Sequence, residues 1–472
     1  MKVLMINPPS EHMITTNIPS VVDEERGFNP PLGLLYVAGY AKAKTSHQIM
    51  VMDCQVEEIT QEEVEDRIRE ISPDVVGIQA LTFTIIDARM VAQAAKRANP
   101  RCKVVLGGPH VHIFARETLA MPEVDFAIKG EGELAFTQLL GALEGQMTFD
   151  KVFGLAYRDP TTGQIKDNPP APPVEDLDGL PYPARELTPV NKYYSLIAKR
   201  NPITTMFTSR GCPYRCLFCD RPTMGRRFRS HSATAVVNEM EACLKLGIHE
   251  FFIYDDTFNV NRKRVFEICG EIKKRKLDIA FDIRARADRM DEEMLAELAS
   301  AGCDRIHYGV ESGNAEVLEI LLKDLDLDQV RKIFKATRKH GMKTLAYFMI
   351  GNPSETREMA LKTIEFAKEL DPDFVHFSVM TPFPATAIYY KALEEGRYEE
   401  DYWAEFAKNP TEDFKPRLWE EHMTRVELID LLKYAYKSFY LRPKIVMKNM
   451  TFTHTPLDFY RKARAGLRMF RI

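Results

Sequence analysis

The sequence predicts an α/β protein built on two successive parallel sheets, followed by a small, mainly helical C-terminal region. Three observations lead there. Short apolar runs alternate with amphipathic helical patterns through residues 1–150, and the alternation returns from Ile203 to Val379. A proline-dense stretch divides the two series. Near Pro382 the alternation stops, and the remaining residues read as helical and irregular.

In the first series the strand candidates are Val3–Ile6, Ile49–Met52, Val75–Ile78, Val104–Leu106 and Phe126–Ile128. Each is short and apolar throughout, as a strand covered on both faces must be. Helical patterns lie between them at Leu32–Ala43, Glu62–Ile71, Asp87–Arg97 and Glu133–Leu143. This is the pattern of a Rossmann-like, doubly wound sheet, assigned to residues 1–150. Prolines 169, 170, 172, 173, 181 and 183 remove backbone donors and fix φ, so residues 151–195 are read as a linker.

The second series offers strands at Ile203–Phe207, Glu250–Tyr254, Ala280–Ile283, Arg305–Tyr308, Thr344–Met349 and Phe374–Val379. The helices between them are Ala233–Leu246, Arg264–Arg275, Glu292–Ala301, Leu327–His340 and Thr356–Leu370. Six β–α units over residues 196–385 fit a partial (β/α)6, TIM-like barrel and leave no room for eight. Residues 386–472 form the helical C-terminal region, whose last stretch, Leu457–Ile472, reads as a basic amphipathic helix. Trp403, Tyr402 and Trp419 there fit either a cover for the site or ordinary core.

Composition narrows the class. The chain has 472 residues, 45% apolar and 28% charged, as in globular proteins of two or three domains. A net charge of −4 points to neither nucleic acid nor a membrane as partner, and no apolar run is long enough to span a bilayer. The N-terminus turns polar too soon for a signal peptide, so a cytoplasmic location is expected. Eight cysteines in this length make no disulfide scaffold. Cys54, Cys102, Cys243, Cys269 and Cys303 lie in apolar segments and read as small core residues.

Cys212, Cys216 and Cys219 differ. They stand at C-x3-C-x2-C spacing on the loop after the first barrel strand, where barrels place their chemistry. Three thiolates on one loop can face one centre and leave a metal position open, as in a [4Fe–4S] cluster with one iron free for a cosubstrate. Two other readings are a zinc site completed by a distant histidine such as His231, and unpaired structural cysteines.

The trio, with Phe218 before its last cysteine, resembles the signature of the radical S-adenosylmethionine (SAM) superfamily. The resemblance implies that SAM chelates the open iron and that its reductive cleavage yields a 5′-deoxyadenosyl radical. It also places SAM contacts on Phe218 and on the segments after the later strands. Tyr254-Asp255-Asp256-Thr257 stands where the family has a carboxylate-bearing turn, so Asp255 and Asp256 are both candidates for the SAM ammonium. Arg286, in preference to Arg284, matches a partner of the SAM carboxylate. Glu311 and Ser312 match ribose and methionyl contacts, and Gly351 opens the adenine-backing segment. Ser354 in that segment also fits a helix cap.

The first sheet lacks G-x-G-x-x-G, which disfavours a dinucleotide. Its glycine turns, Pro31-Leu32-Gly33, Gly107-Gly108-Pro109-His110 and Gly130-Glu131-Gly132-Glu133, follow strands or open helices. Joined to the cysteine motif, these turns and Leu81-Thr82 resemble the cobalamin-binding domain of cobalamin-dependent radical SAM methyltransferases and related oxidative cyclases. The implied cobalamin contacts are Gly33, Leu81, Thr82, Gly107, Gly108, His110, Gly130, Glu131 and Gly132. No D-x-H-x-x-G is present, which implies a cobalamin whose cobalt takes no histidine from that motif; His110 and His112 lie near the expected corrin face.

The function so implied is C-methylation of an unactivated carbon through the deoxyadenosyl radical and methylcobalamin. An oxidative cyclase or rearrangement enzyme is the alternative, and a non-catalytic cobalamin or metal sensor the reading from another class. The implied partners are an electron donor of flavodoxin or ferredoxin type and a substrate that is a small molecule, a lipid, or a peptide or protein side chain.

Overall fold

The computed structural model describes residues 1–15, 27–219 and 224–451, and all that follows concerns these. In chain order the first sheet and its helices are β1 (Lys2–Asn7), α1 (Leu32–Lys44), β2 (Gln48–Asp53), α2 (Gln61–Ile71), β3 (Val75–Gln79), α3 (Ile85–Ala98), β4 (Lys103–Gly107), α4 (Pro109–Ala120), β5 (Phe126–Ile128), α5 (Gly132–Leu143), β6 (Leu155–Arg158) and β7 (Ile165–Asp167). The order is β2-β1-β3-β4-β5-β6-β7, with the first five strands parallel and the last two antiparallel.

The sheet's two faces feed two cores. Val3 and Met5 look to one face, with Phe136 and Leu139, while Leu4 and Ile6 look to the other, with Val64 and Val91. Local signals agree with the packing. Thr60 and Glu63 form a capping box that starts α2.

Two features depart from expectation. The residues after Gly107-Gly108 form a helix, α4, where a turn was expected; Pro109 opens it at the first helical position, where its missing N–H costs nothing. Strands β6 and β7 fall inside the span read as linker and extend the first sheet at its edge.

The second unit runs β8 (Ile203–Met206), β9 (Ser209–Arg210), β10 (Arg229–Ser230), α6 (Ala233–Leu244), β11 (Glu250–Ile253), α7 (Arg262–Arg275), β12 (Ala280–Ala285), α8 (Glu292–Ser300), β13 (Cys303–Glu311), α9 (Ala315–Ile320), α10 (Leu327–Lys339), β14 (Lys343–Ile350), α11 (Arg357–Leu370) and β15 (Phe374–Val379). Six strands, β8-β11-β12-β13-β14-β15, lie side by side in chain order and all parallel, which is the expected partial barrel. Strands β9 and β10 pair separately as a short antiparallel ribbon at the base of the cysteine loop.

Helices α12 (Ala387–Glu394), α13 (Tyr402–Lys408), α14 (Arg425–Tyr440) and α15 (Pro443–Thr451) complete the described chain. Trp403, Tyr402, Tyr389 and Trp419 are buried in one core with residues of α3 and α4, so they are core rather than cover. Leu428, Leu432 and Tyr436 of α14 belong to the barrel core instead. The C-terminal region therefore packs on both sheets. Lys444 and Lys448 pair with Asp371 and Asp373 at the barrel's edge, whereas the basic stretch Leu457–Ile472 lies outside the described residues. Among the described residues no helix is long and apolar enough to cross a membrane.

Candidate functional site

The cysteine loop begins where β8 ends. Gly211 turns the chain with φ +84°, and a Cβ there would collide with the Arg227 carbonyl, so only glycine fits. The Cys212 amide donates to the Gly225 carbonyl at 3.2 Å, closing the loop on itself. The Leu217 amide donates to the Leu321 carbonyl, and the Leu217 carbonyl accepts from the Ile388 amide, both at 3.0 Å. Those two bonds hang the middle of the loop between the segment after β13 and the start of α12.

The three thiols carry no disulfide; Cys216 is buried, and Cys212 and Cys219 are half-buried. Cys212 Sγ lies 3.6 Å from Thr257 Oγ1, and Cys216 Sγ lies 4.0 Å from Arg286 Nη1. Among the described residues no group of three His, Cys, Asp or Glu side chains stands gathered at metal-binding distance. The other five cysteines are buried. Burial pushes the thiols of Cys243 and Cys269 up to about 11 and about 12, as inert core residues require.

Several predicted SAM contacts prove to be committed elsewhere. Asp255 is fully buried. Its carboxylate accepts from the amides of Thr208 (2.6 Å) and Ser209 (2.9 Å) and from their hydroxyls (2.5 and 2.7 Å). It holds the chain leading to the cysteines and has no lone pair left for a ligand. Asp256, the exposed neighbour, is the carboxylate of the pair that faces outward.

Arg286 donates to Asp288 at 2.9 Å and to the Lys323 carbonyl at 2.6 Å, and its guanidinium sits 4.1 Å from the Tyr214 ring centroid. It thereby ties Tyr214 and Cys216 of the cysteine loop to Asp288 and Lys323. Ser312 is buried, its hydroxyl 3.1 Å from Thr363 Oγ1 on α11. Gly351 packs against α14, where a Cβ would sit 2.6 Å from Leu428 Cδ2. Ser354 does not cap α11; Thr356 does. Glu311 keeps a place at the barrel mouth, bonded at 2.9 Å to Lys323, whose ammonium lies 6.0 Å from the Phe218 ring centroid.

A cavity of about 460 Å³ opens between the carboxyl ends of the first sheet and the mouth of β8 and β11. Gly33, Leu81, Gly107, Gly108, Gly130, Glu131 and Gly132 line it. Thr82 and His110 do not line it. His110 is wholly buried, with Nδ1 3.3 Å from Thr82 Oγ1, and burial lowers it to about 3, so it is a neutral core residue. His112, two positions on, is the histidine on the cavity wall.

Sequence reasoning missed Asn7, Asn29, Gln55, Gln79, Arg210 and Tyr254, all on the wall. Asn7, Gln79 and Tyr254 sit at or just past the carboxyl ends of parallel strands, where such sheets bind ligands, and that rule would have found them. The deep end of the cavity is apolar, with Met5, Leu34, Val37, Val105 and Phe136.

The wall fits a cobalamin. Arg210 Nε and Asn29 Oδ1 are buried there without a hydrogen-bond partner among the described residues. A donor and an acceptor left over beside an apolar slot suit a macrocycle fringed with amides. The thiol trio is the donor set that a [4Fe–4S] cluster with one open iron takes.

With this geometry in hand, the chain belongs to the cobalamin-binding radical SAM enzymes. The Radical SAM superfamily model matches residues 206–367, and the B12 binding domain model matches residues 20–140. The chain is 34% identical to an uncharacterised methyltransferase of Pyrococcus horikoshii, over 100% of this chain and 99% of that one. It is 30% identical to the anaerobic magnesium-protoporphyrin IX monomethyl ester cyclase of Rubrivivax gelatinosus, over 93% and 78%. In fold it resembles the radical S-adenosylmethionine methyltransferase TsrM of Kitasatospora setae, solved with cobalamin and a [4Fe–4S] cluster, with a TM-score of 0.73 at 18% identity over 100% and 99% of the chains. The family's cofactors are the cluster, SAM and cobalamin.

Proposed function

We propose that the protein is a C-methyltransferase acting on an unactivated carbon of a small molecule. The observation that carries the reading is the shared wall. Thr205, Phe207, Arg210 and Tyr254, from the barrel strands and the approach to the cysteines, close the same cavity that the glycine turns of the first sheet open. In this reading the two reactive centres lie on either side of one cavity, the proximity that a radical attacking its nearest neighbour requires.

In this reading Cys212, Cys216 and Cys219 hold the cluster; Asp256 and Glu311 stand where SAM binds; and Gly33, Leu81, Gly107, Gly108, Gly130, Glu131 and Gly132 cradle the corrin. When bound, the cluster and SAM supply a hydrogen-abstracting radical and cobalamin supplies a methyl group. The protein's own work is positional. Asp255 fixes Thr208 and Ser209, Arg286 sets Tyr214 and neighbours Cys216, and Tyr254, on the cavity wall, has its ring centroid 3.7 Å from the Arg284 guanidinium. An electron donor of flavodoxin or ferredoxin type completes the proposal.

The test is product analysis under oxygen-free, reducing conditions, with protein loaded with iron, sulfide and hydroxocobalamin. Adenosylhomocysteine together with 5′-deoxyadenosine is expected. Deoxyadenosine alone would sink methyl transfer and favour the cyclase reading, which the similarity to the Rubrivivax gelatinosus cyclase supports.

A further inference from the structure

We propose that Arg210 couples cobalamin binding to assembly of the cysteine loop, as a positioning residue that reports each cofactor's presence to the other. The inference rests on the reading above and adds a thermodynamic link that neither site shows alone.

The geometry is a four-charge lock between the two units. Arg210 Nη2 donates to Glu133 Oε1 at 2.6 Å, and Nη1 lies 3.3 Å from Glu131 Oε2. Arg229, opposite it on the β9–β10 ribbon, donates to the same Glu131 carboxylate and, at 2.6 Å, to the Val174 carbonyl. All four side chains are largely buried. The ribbon closes the base of the cysteine loop, with Arg210 two positions before Cys212. The two glutamates flank Gly132 on the turn that rims the cavity.

Both arginines of the ribbon are thus anchored to the glutamates on the cavity rim. Arg210 also lines the cavity directly, with a buried Nε lacking a partner among the described residues. Met224, from inside the cysteine loop, lines the same cavity, so an occupant touches the loop by a second route.

Linkage makes such coupling reciprocal. A ligand that fixes the rim glutamates favours the ribbon position that they hold, and a cluster that fixes the ribbon raises the ligand's affinity by the same factor. A factor of about ten lies within the usual range for coupled sites. A purely structural arginine would weaken both states alike and leave their ratio untouched.

The experiment titrates hydroxocobalamin into full-length protein with and without its iron–sulfur cluster, followed by visible absorbance in the absence of oxygen. Wild type is expected to bind about tenfold more tightly when cluster-loaded. In Arg210→Lys, which keeps the charge but cannot hold both carboxylates, the ratio is expected to fall to near one. Glu133→Gln cuts the lock from the other side and is expected to do the same, so the result does not hang on one variant folding. An unchanged ratio in both variants, or equal affinities in wild type, would overturn the coupling alone. Failure of wild type to take up hydroxocobalamin in either state would overturn the cobalamin reading and the coupling with it.

Discussion

Asp255 holds Ser209 twice, accepting its amide at 2.9 Å on one carboxylate oxygen and its hydroxyl at 2.7 Å on the other. Ser209 stands three positions before Cys212, so this carboxylate sets where the cysteine loop leaves the barrel. Truncation to alanine would strand two amides, two hydroxyls and the buried Arg264 beside them. Removing one member of a buried charged network costs about 3–5 kcal/mol. Asp255→Ala should therefore lower stability by about that much and lose most bound iron, whereas Asp255→Asn, which keeps one acceptor, should cost about 1–2 kcal/mol. Denaturant unfolding with iron analysis reads both, and full iron in the alanine variant would refute the positioning role.

Replacing Cys212, Cys216 and Cys219 together by alanine should abolish iron and sulfide binding and with it reductive SAM cleavage. Cys243→Ala is the control. It removes a buried thiol from the barrel core at a cost of about 1 kcal/mol and should leave iron content unchanged. Equal iron in the triple variant and wild type would discard the cluster assignment.

Gly211→Ala tests the turn rather than the ligands. The added methyl meets the Arg227 carbonyl at a φ that alanine rarely adopts. A strain of about 1–3 kcal/mol is expected, confined to the loop's entry. The fold should survive, with a small fall in melting temperature, while iron content drops several-fold. A variant that keeps its iron would show that the loop can enter by another path.

The barrel and the first five strands were legible because a parallel strand covered on both faces has to be apolar along its whole length. Helix α4 was not, because Gly107-Gly108-Pro109 has the composition of a loop, and proline's role as an opener shows only once the helix is there. Strands β6 and β7 were hidden by their shortness and by the prolines that follow them.

At the candidate site, spacing singled out the cysteines and the glycine turns. It could not tell a carboxylate that faces outward from one that the fold consumes. Asp255 and Asp256 are neighbours in sequence with opposite exposure. Arg210 escaped notice for a related reason, since its partners Glu131 and Glu133 lie 79 and 77 positions away in sequence.

Two opposing pairs of buried groups contribute to the pH dependence of stability. Burial lowers His110 to about 3 and His307 to about 4, so in the fold they refuse protons that the unfolded chain takes up below its ordinary histidine value of 6.5. Their contribution is fully present above that value and is lost as pH falls toward the folded values. Burial raises Glu250 and Glu355 to about 7 from 4.5. These carboxyls hold protons that the unfolded chain releases, so their contribution is fully present below pH 4.5 and is lost as pH rises toward 7. Between pH 6.5 and 4.5 the two pairs act in opposite senses, each group at about 1.4 kcal/mol per pH unit at most. Glu355→Gln removes one arm. The variant should be more stable than wild type at pH 7, where the native carboxyl is half ionised without adequate solvation, and this advantage should shrink by about 1 kcal/mol per unit as pH falls to 5. Denaturant midpoints at pH 7, 6 and 5 measure it, and a difference that stays constant across them would mean that Glu355 does not titrate in this range.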